Sequence, residues 1–364
     1  MVAKIIIGAN YGDEGKGLMT DYFCRQSSGK CLVVCTNGGA QRGHTVETPE
    51  GIRHVFHHFG SGTLAGADTY FSKNFILNPI VFRKEYDALG GHVGNVYAHS
   101  QCRITNPFDM ITNQILEERR GDNKHGSCGM GIWETILRYD MGRGTDILEN
   151  VRRWWMPIRT GDKVPEEWED VIHSSDLLAH YRDDLNFMRS KIKWVNDDAE
   201  VLTHYPYVVF ENGQGLLLDQ KFGKHSTPTD TGCKYAMEIL KNPQLHGADI
   251  EAVYVTRSYL TRHGAGPLDG EGDIDGVALD QTNTYNKFQG AIRYAQFDHA
   301  KVGALINRVK EDAHQYLGGI NRISLALTHA NECDDARLAG RARYISDDKT
   351  WKGVNINDES ETLH

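Results

Sequence analysis

Ile5-Ile6-Ile7-Gly8-Ala9-Asn10-Tyr11-Gly12-Asp13-Glu14-Gly15-Lys16-Gly17 is the stretch on which the fold of this chain turns. Three β-branched residues in a row read as a strand buried on both faces. The run opens into a glycine-rich loop with a lysine, and residues 18–24 beyond it read as a helix. In that order, backbone amides, the partial positive charge of a helix start and a full lysine charge converge on phosphate oxygens. Gly17 follows Lys16, so this is not the usual GxxxxGK with Ser or Thr next. Asp13 is the oddity. A carboxylate among phosphate-binding amides is repulsive unless it binds a cation or takes a proton from the substrate. Gly12, Glu14, Gly15, Lys16 and Gly17 are expected to hold a triphosphate, with Asp13 serving one of those two ends.

Outward from this loop, similar runs recur. Residues 31–35 lead into Thr36-Asn37-Gly38-Gly39, 207–210 into Glu211-Asn212-Gly213-Gln214-Gly215, 252–255 into Thr256-Arg257-Ser258, and 323–327 into Thr328-His329-Ala330-Asn331. Helical spacing of Leu177, Tyr181, Leu185 and Met188 predicts a helix over 176–189, with Ser174 and Ser175 as N-cap candidates; another is expected over 299–316. The expected fold is α/β: a doubly wound, mostly parallel central sheet flanked by helices, P-loop-NTPase-like, with ligands beyond the carboxyl ends of the strands. One domain over 1–364 is expected, with a helical subdomain inserted at about 105–200, where Trp154, Trp155 and Trp168 cluster.

Net charge is −9, which argues against wholesale wrapping of nucleic acid or an anionic membrane. The seven cysteines are scattered, odd in number and without a CxxC pair, so a disulfide framework or structural zinc is not expected. A reducing, cytoplasmic setting fits that usage. The apolar start, Met1 to Gly8, is too short for a signal peptide or membrane span.

The second glycine loop, Asn37-Gly38-Gly39-Ala40-Gln41-Arg42-Gly43-His44-Thr45, follows the second strand and is placed to meet the first. Gly43 can offer a carbonyl to Mg²⁺, and His44 can donate to a developing oxyanion or a transferring phosphoryl group. Thr45 is assigned to the triphosphate. A non-catalytic nucleotide-binding switch is the alternative of another class, and it needs neither an acid nor a base in its loops.

These residues resemble the adenylosuccinate synthetase family. The likeness rests on Gly12-Asp13-Glu14-Gly15-Lys16-Gly17 and on Gly38-Gly39 followed by Gly43-His44-Thr45. Support comes from the 126–131 and 210–215 segments, Leu217-Leu218-Asp219 and Thr261-Arg262-His263-Gly264-Ala265-Gly266-Pro267. The resemblance implies a Mg²⁺-dependent ligase acting on a purine nucleoside monophosphate, L-aspartate and a nucleoside triphosphate. Asp13 would remove the N1 proton and help hold Mg²⁺ with Gly43, the 6-oxygen would attack the γ-phosphate, and His44 would stabilise the charge. It further implies Gln41, Ser127, Cys128, Gln214 and Thr227 at the acceptor nucleotide, Cys128 standing where the family usually has threonine. Arg143 would reach the nucleotide of a second subunit in a homodimer. Thr284, Asn286, Gly290 and Arg293 would form the aspartate loop, whose usual threonine-glycine-arginine run is altered here.

The departure that bears on substrate is Thr328-His329-Ala330-Asn331, where family members carry Thr-Lys-x-Asp and the Asp reads guanine in GTP. Asn331 replaces an acceptor by a donor, and an amide pairs with the N1 and 6-amino group of adenine. Facing a guanine donor with an amide donor costs about 1–3 kcal/mol. Thr328, His329 and Asn331 are thus expected to take ATP or dATP. The chain resembles the phage aminoadenylosuccinate synthetases, which act on dGMP in viruses carrying 2-aminoadenine in their DNA; the setting would then be the host cytoplasm. Some members of that branch replace the aspartate of the first loop, which this chain keeps as Asp13. The alternative within the family is IMP with GTP.

Overall fold

The computed structural model describes residues 1–161, 164–223, 225–277, 285–332, 336–346, 350–358 and 363. Its central sheet comprises β1 (Val2–Gly8), β2 (Cys31–Cys35), β3 (Asp68–Phe71), β4 (Val96–His99), β5 (Lys193–Val195), β6 (Tyr207–Gly215), β7 (Asp249–Arg257), β8 (Arg322–Thr328), β9 (Tyr344–Ser346) and β10 (Val354–Ile356). In space the order is β5-β4-β3-β2-β6-β1-β7-β8-β9-β10, parallel throughout except for the β9–β10 pair. The chain builds outward from β2 to β5, returns with β6 beside β1, and then builds the other half. That reversal opens a crevice at the carboxyl ends of β1 and its neighbours.

The non-alternating apolar runs have a simple cause, since both faces of the sheet are covered. Ile5 and Ile7 enter one core with Leu32, Phe210 and Leu325, while Ile6 enters the other with Val33 and Val253. Five helices matter here: α1 (Lys16–Gln26), α2 (Pro79–Leu89), α3 (Pro107–Arg119), α4 (Ser175–Lys191) and α5 (His299–His314). Met19, Tyr22 and Phe23 of α1 pack on the Ile6 face. Val302, Leu305, Val309 and Ala313 of α5, at helical spacing, pack on the Ile5 face.

Between β4 and β5 the chain is helical, with a small core of its own built from Phe108, Ile111, Ile115, Val151, Trp155, Met156 and Ile172. Asn106 starts α3 with a reciprocal cap: its side chain accepts from the amides of Phe108 and Asp109, and Asp109 accepts from the Asn106 amide. Ser174 caps α4, whose Met188 packs back on the main body with Phe82 and Leu89. We read this segment as an insertion into one domain. No helix among the described residues is long and apolar enough to cross a membrane. Six cysteines are free thiols, and Cys333 lies outside the described residues.

Candidate active site

Loops from the carboxyl ends of β1, β2, β6, β7 and β8 surround a cleft of about 480 Å³, within the usual size of small-molecule sites. A smaller cavity of about 210 Å³, among Met1, Tyr205 and Leu245, has no carboxylate, lysine or arginine in its lining.

The loop after β1 is braced from within. The Glu14 carboxylate accepts from the amides of Asn10 (3.0 Å) and Gly12 (2.8 Å) on one oxygen and from the Lys16 ammonium (2.9 Å) on the other. Burial pushes its pKa up, but Lys16 and those amides outweigh burial and leave it below the usual value. The side chain of Glu14 is thus spent inside the loop, while the residue itself lines the cleft. Gly15 precedes α1 at φ +94°, where a β-carbon would come within 2.9 Å of Thr328. With glycine there, no side chain caps α1, and its first amides are left for an anion.

Asp13 and His329 are the two non-glycine residues with left-handed backbone among those described, at φ 61° and 57°. Such a conformation costs about 1–2 kcal/mol, so neighbours must hold it. Arg257, buried at the end of β7, donates Nε to the Asp13 carbonyl, and Thr261 Oγ1 donates to the Gly12 carbonyl at 2.8 Å. Asp13 Oδ2 then lies 3.7 Å from His263 Nδ1.

His44 opens the strand His44–Glu47, with Nδ1 2.8 Å from Glu211 Oε1. Glu211 also accepts from the Ser61 amide at 3.1 Å and from the Ser61 hydroxyl, and lies 3.6 Å from Arg42 Nη1. Burial pushes Glu211 up; His44, Arg42 and Ser61 more than reverse this and bring it to about 2. Burial pulls His44 below the usual imidazole value, only partly opposed by Glu211. The ring therefore gives Nδ1–H to an ionised carboxylate, and Nε2 is buried with no partner. Phosphate charge beside Nε2 would join Glu211 in favouring the imidazolium. A base oriented by a third group is the usual geometry of a working histidine.

The structure brings Gly12, Asp13, Glu14, Gly15, Lys16, Gly17, Gly43, His44 and Thr45 together at the cleft, and Gln41, Cys128, Gln214, Asn286, His329 and Asn331 also line it. The Gln41 amide oxygen is buried and unpaired. Burial pushes the Cys128 thiol up to about 11, so it stays protonated at neutral pH.

Other expected residues among those described do not line the cleft. Ser127 Oγ donates to Asn113 at 2.9 Å, and Thr227 Oγ1 to the Leu218 carbonyl at 2.8 Å. Thr328 is fully buried and donates to the Glu14 carbonyl at 2.7 Å, tying β8 to the phosphate loop. Arg293 bonds Glu271 (2.7 Å) and the carbonyls of Gly264 (2.7 Å) and Gly266 (2.9 Å). Gly290 exchanges backbone bonds with Asn286. Arg143 pairs with Asp146 at 3.1 Å. Thr284 lies outside the described residues.

Sequence reasoning gave no role to Glu211, Arg257 or Glu332. A carboxylate ending the apolar run of β6 was the available signal for Glu211. Arg257 Nη1 donates to the Tyr259 hydroxyl at 3.0 Å, and that hydroxyl donates to Glu332, so one chain of bonds joins the Asp13 backbone to the loop bearing Asn331. No one-dimensional spacing encodes that chain.

The family model for adenylosuccinate synthetase matches residues 5–293, and the chain belongs to that family. The adenylosuccinate synthetase of Gloeothece citriformis is 27% identical over 340 residues, covering 85% of this chain and 71% of that protein. That of Acaryochloris marina is 28% identical over 309 residues, covering 77% and 65%. Among solved structures, the fully ligated adenylosuccinate synthetase of Plasmodium falciparum superposes with TM-score 0.67 at 17% identity, covering 98% of this chain and 99% of that one. The succinoaminodeoxyadenylate synthetase of cyanophage S-2L, bound to dGMP and dATP as an energy donor, gives 0.66 at 14% identity, covering 98% and 95%. The two scores are nearly equal, so the shared fold does not choose the acceptor base.

Proposed function

We propose, from membership of the adenylosuccinate synthetase family, that this ligase joins L-aspartate to C6 of dGMP. The phosphoryl donor would be ATP or dATP, and the products N6-succino-2-amino-2'-deoxyadenylate, ADP or dADP, and phosphate. Asp13 takes the proton from N1 as the 6-oxygen attacks the γ-phosphate. Lys16 and the bare amides at the start of α1 hold the phosphates, and His44, oriented by Glu211, meets the charge developing on the transferring group. The amine of aspartate then adds at C6 and phosphate leaves with the former 6-oxygen. The lactam oxygen by itself is a poor leaving group, so phosphorylation is what makes C6 reactive. Most of the chain's part in this is positioning and electrostatics.

The Asp13 carboxylate and the Gly43 carbonyl, both at the cleft, suit Mg²⁺, which uses few protein ligands and completes its shell with phosphate oxygens and water. Bound there, it would neutralise charge on the triphosphate. A homodimer is part of the proposal. Met141 and Ile147, exposed on either side of Arg143, support a second copy covering that face.

The observation that carries the substrate reading is Asn331, an exposed amide on the loop after β8, lining the cleft that holds Lys16. An amide matches the acceptor and donor of adenine where a carboxylate would match guanine. The test incubates the protein with L-aspartate and Mg²⁺ against dGMP or IMP, each with ATP, dATP or GTP, and identifies products by mass. Product from dGMP with an adenine nucleotide supports the reading. Turnover of IMP with GTP, and none of dGMP with ATP or dATP, overturns it in favour of adenylosuccinate formation.

A further inference from the structure

His263 follows the short strand Leu260–Arg262 and has no part in the steps above. We infer that it reads the 2-amino group of the acceptor purine; this rests on the dGMP reading. Three observations carry it.

The first is position. Thr261 Oγ1 bonds the Gly12 carbonyl at 2.8 Å, Tyr11 and Arg262 form a parallel bridge, and the Arg262 guanidinium stands 4.5 Å from the Tyr11 ring centre. Those contacts dock this strand on the phosphate loop and bring His263 Nδ1 to 3.7 Å from Asp13 Oδ2. Both side chains line the cleft.

The second is order. The sheet runs β2-β6-β1-β7 at this point, in the labels defined above. The loop carrying Asp13 therefore lies between the loop carrying His44, after β2, and the chain carrying His263, after β7. The edge of a 6-oxopurine has the same order: O6, then N1–H, then the substituent on C2. With O6 toward His44 and N1–H on Asp13, the C2 substituent falls toward His263.

The third is an unpartnered nitrogen. Nε2 of His263 is buried with no partner. The ring nitrogen nearest Asp13 is Nδ1, at 3.7 Å, and Nε2 is a ring nitrogen able to accept a hydrogen bond from a ligand. An exocyclic amine satisfies it. A base with hydrogen on C2 leaves it unmet, and unmet buried acceptors are what allow hydrogen-bonding sites to reject an analogue.

Because dGMP and dIMP differ only in the 2-amino group, they isolate this contact. Affinity by calorimetry and kcat/KM with ATP are measured for both nucleotides on the wild-type protein, His263→Leu and His263→Gln. The wild type is expected to favour dGMP. His263→Leu is expected to lower the dGMP-to-dIMP ratio about 10- to 100-fold, and His263→Gln, which keeps an acceptor, to recover most of it. Should the leucine variant not fold, His263→Phe keeps the ring volume and serves instead. If the ratio stays constant while both nucleotides weaken together, the inference is overturned and the dGMP reading stands. A wild type that ligates dIMP or IMP but ignores dGMP overturns both.

Discussion

The two walls of the cleft are built differently. On the wall made by the loops after β1 and β2, Glu14, Lys16 and His44 are buried, Glu14 and Lys16 paired with each other and His44 held by Glu211 of β6. On the wall made by the loop after β8 and by 285–290, Asn331 and Tyr285 are exposed. Proton abstraction and phosphoryl transfer need groups fixed in place before the reaction begins. Reading a base needs only matching donors and acceptors on a surface that can vary. In the proposed reading the first wall carries the chemistry, with His263 beside it for the acceptor base, and donor choice rests on the second wall, joined to the first by Arg257, Tyr259 and Glu332.

Breaking the first wall should do most. Asp13→Ala is expected to reduce kcat by about 10²- to 10⁴-fold while the thermal midpoint stays within a few degrees; near-intact turnover would remove the role given to Asp13. His44→Ala should cost about 10²- to 10³-fold in kcat. Glu211→Gln should follow it more weakly, since the ring keeps a partner but loses a charge; equal kcat in Glu211→Gln and wild type would mean that Glu211 only packs. On the second wall, Asn331→Asp should move the donor preference from ATP toward GTP by about tenfold, read as the ratio of kcat/KM values, with little change at saturating donor.

Acid should sharpen the same contrast. Burial holds His44, and His58 more strongly, below the usual imidazole value of 6.5. The unfolded chain then binds protons that the folded one refuses, so stability should fall as pH drops through about 6.5. Glu211, lowered from 4.5 to about 2, adds a further loss over that interval. Urea midpoints at pH 8, 6 and 4 measure the fall, and a flat profile would place these groups in contact with water. The smallest effect is expected from Arg293→Ala. Its bonds to Glu271, Gly264 and Gly266 predict a lower thermal midpoint, with the KM for aspartate rising less than about threefold. A far larger rise would return Arg293 to the aspartate site.

Much of the architecture could be read along the chain, because each strand is a short apolar run whose composition reports burial on both faces. Ile5 to Ile7, the cluster after β8 and the cap at Ser174 needed no partner to be recognised. Lys16 and His44 were likewise visible from local loop chemistry. What the sequence could not determine was which polar side chains spend their bonds inside the scaffold and which keep them for a ligand. The Glu14 side chain turned inward, Thr328 closed on a carbonyl, Arg293 tied down a turn, and Glu211 and His263 came to stand beside His44 and Asp13. Thr328, Glu211 and His263 pair across more than a hundred residues, Arg293 across more than twenty, and Glu14 turns in beside a backbone twist at φ 61°. Such pairings are decided by strand order in the sheet, and spacing along a chain carries no record of it.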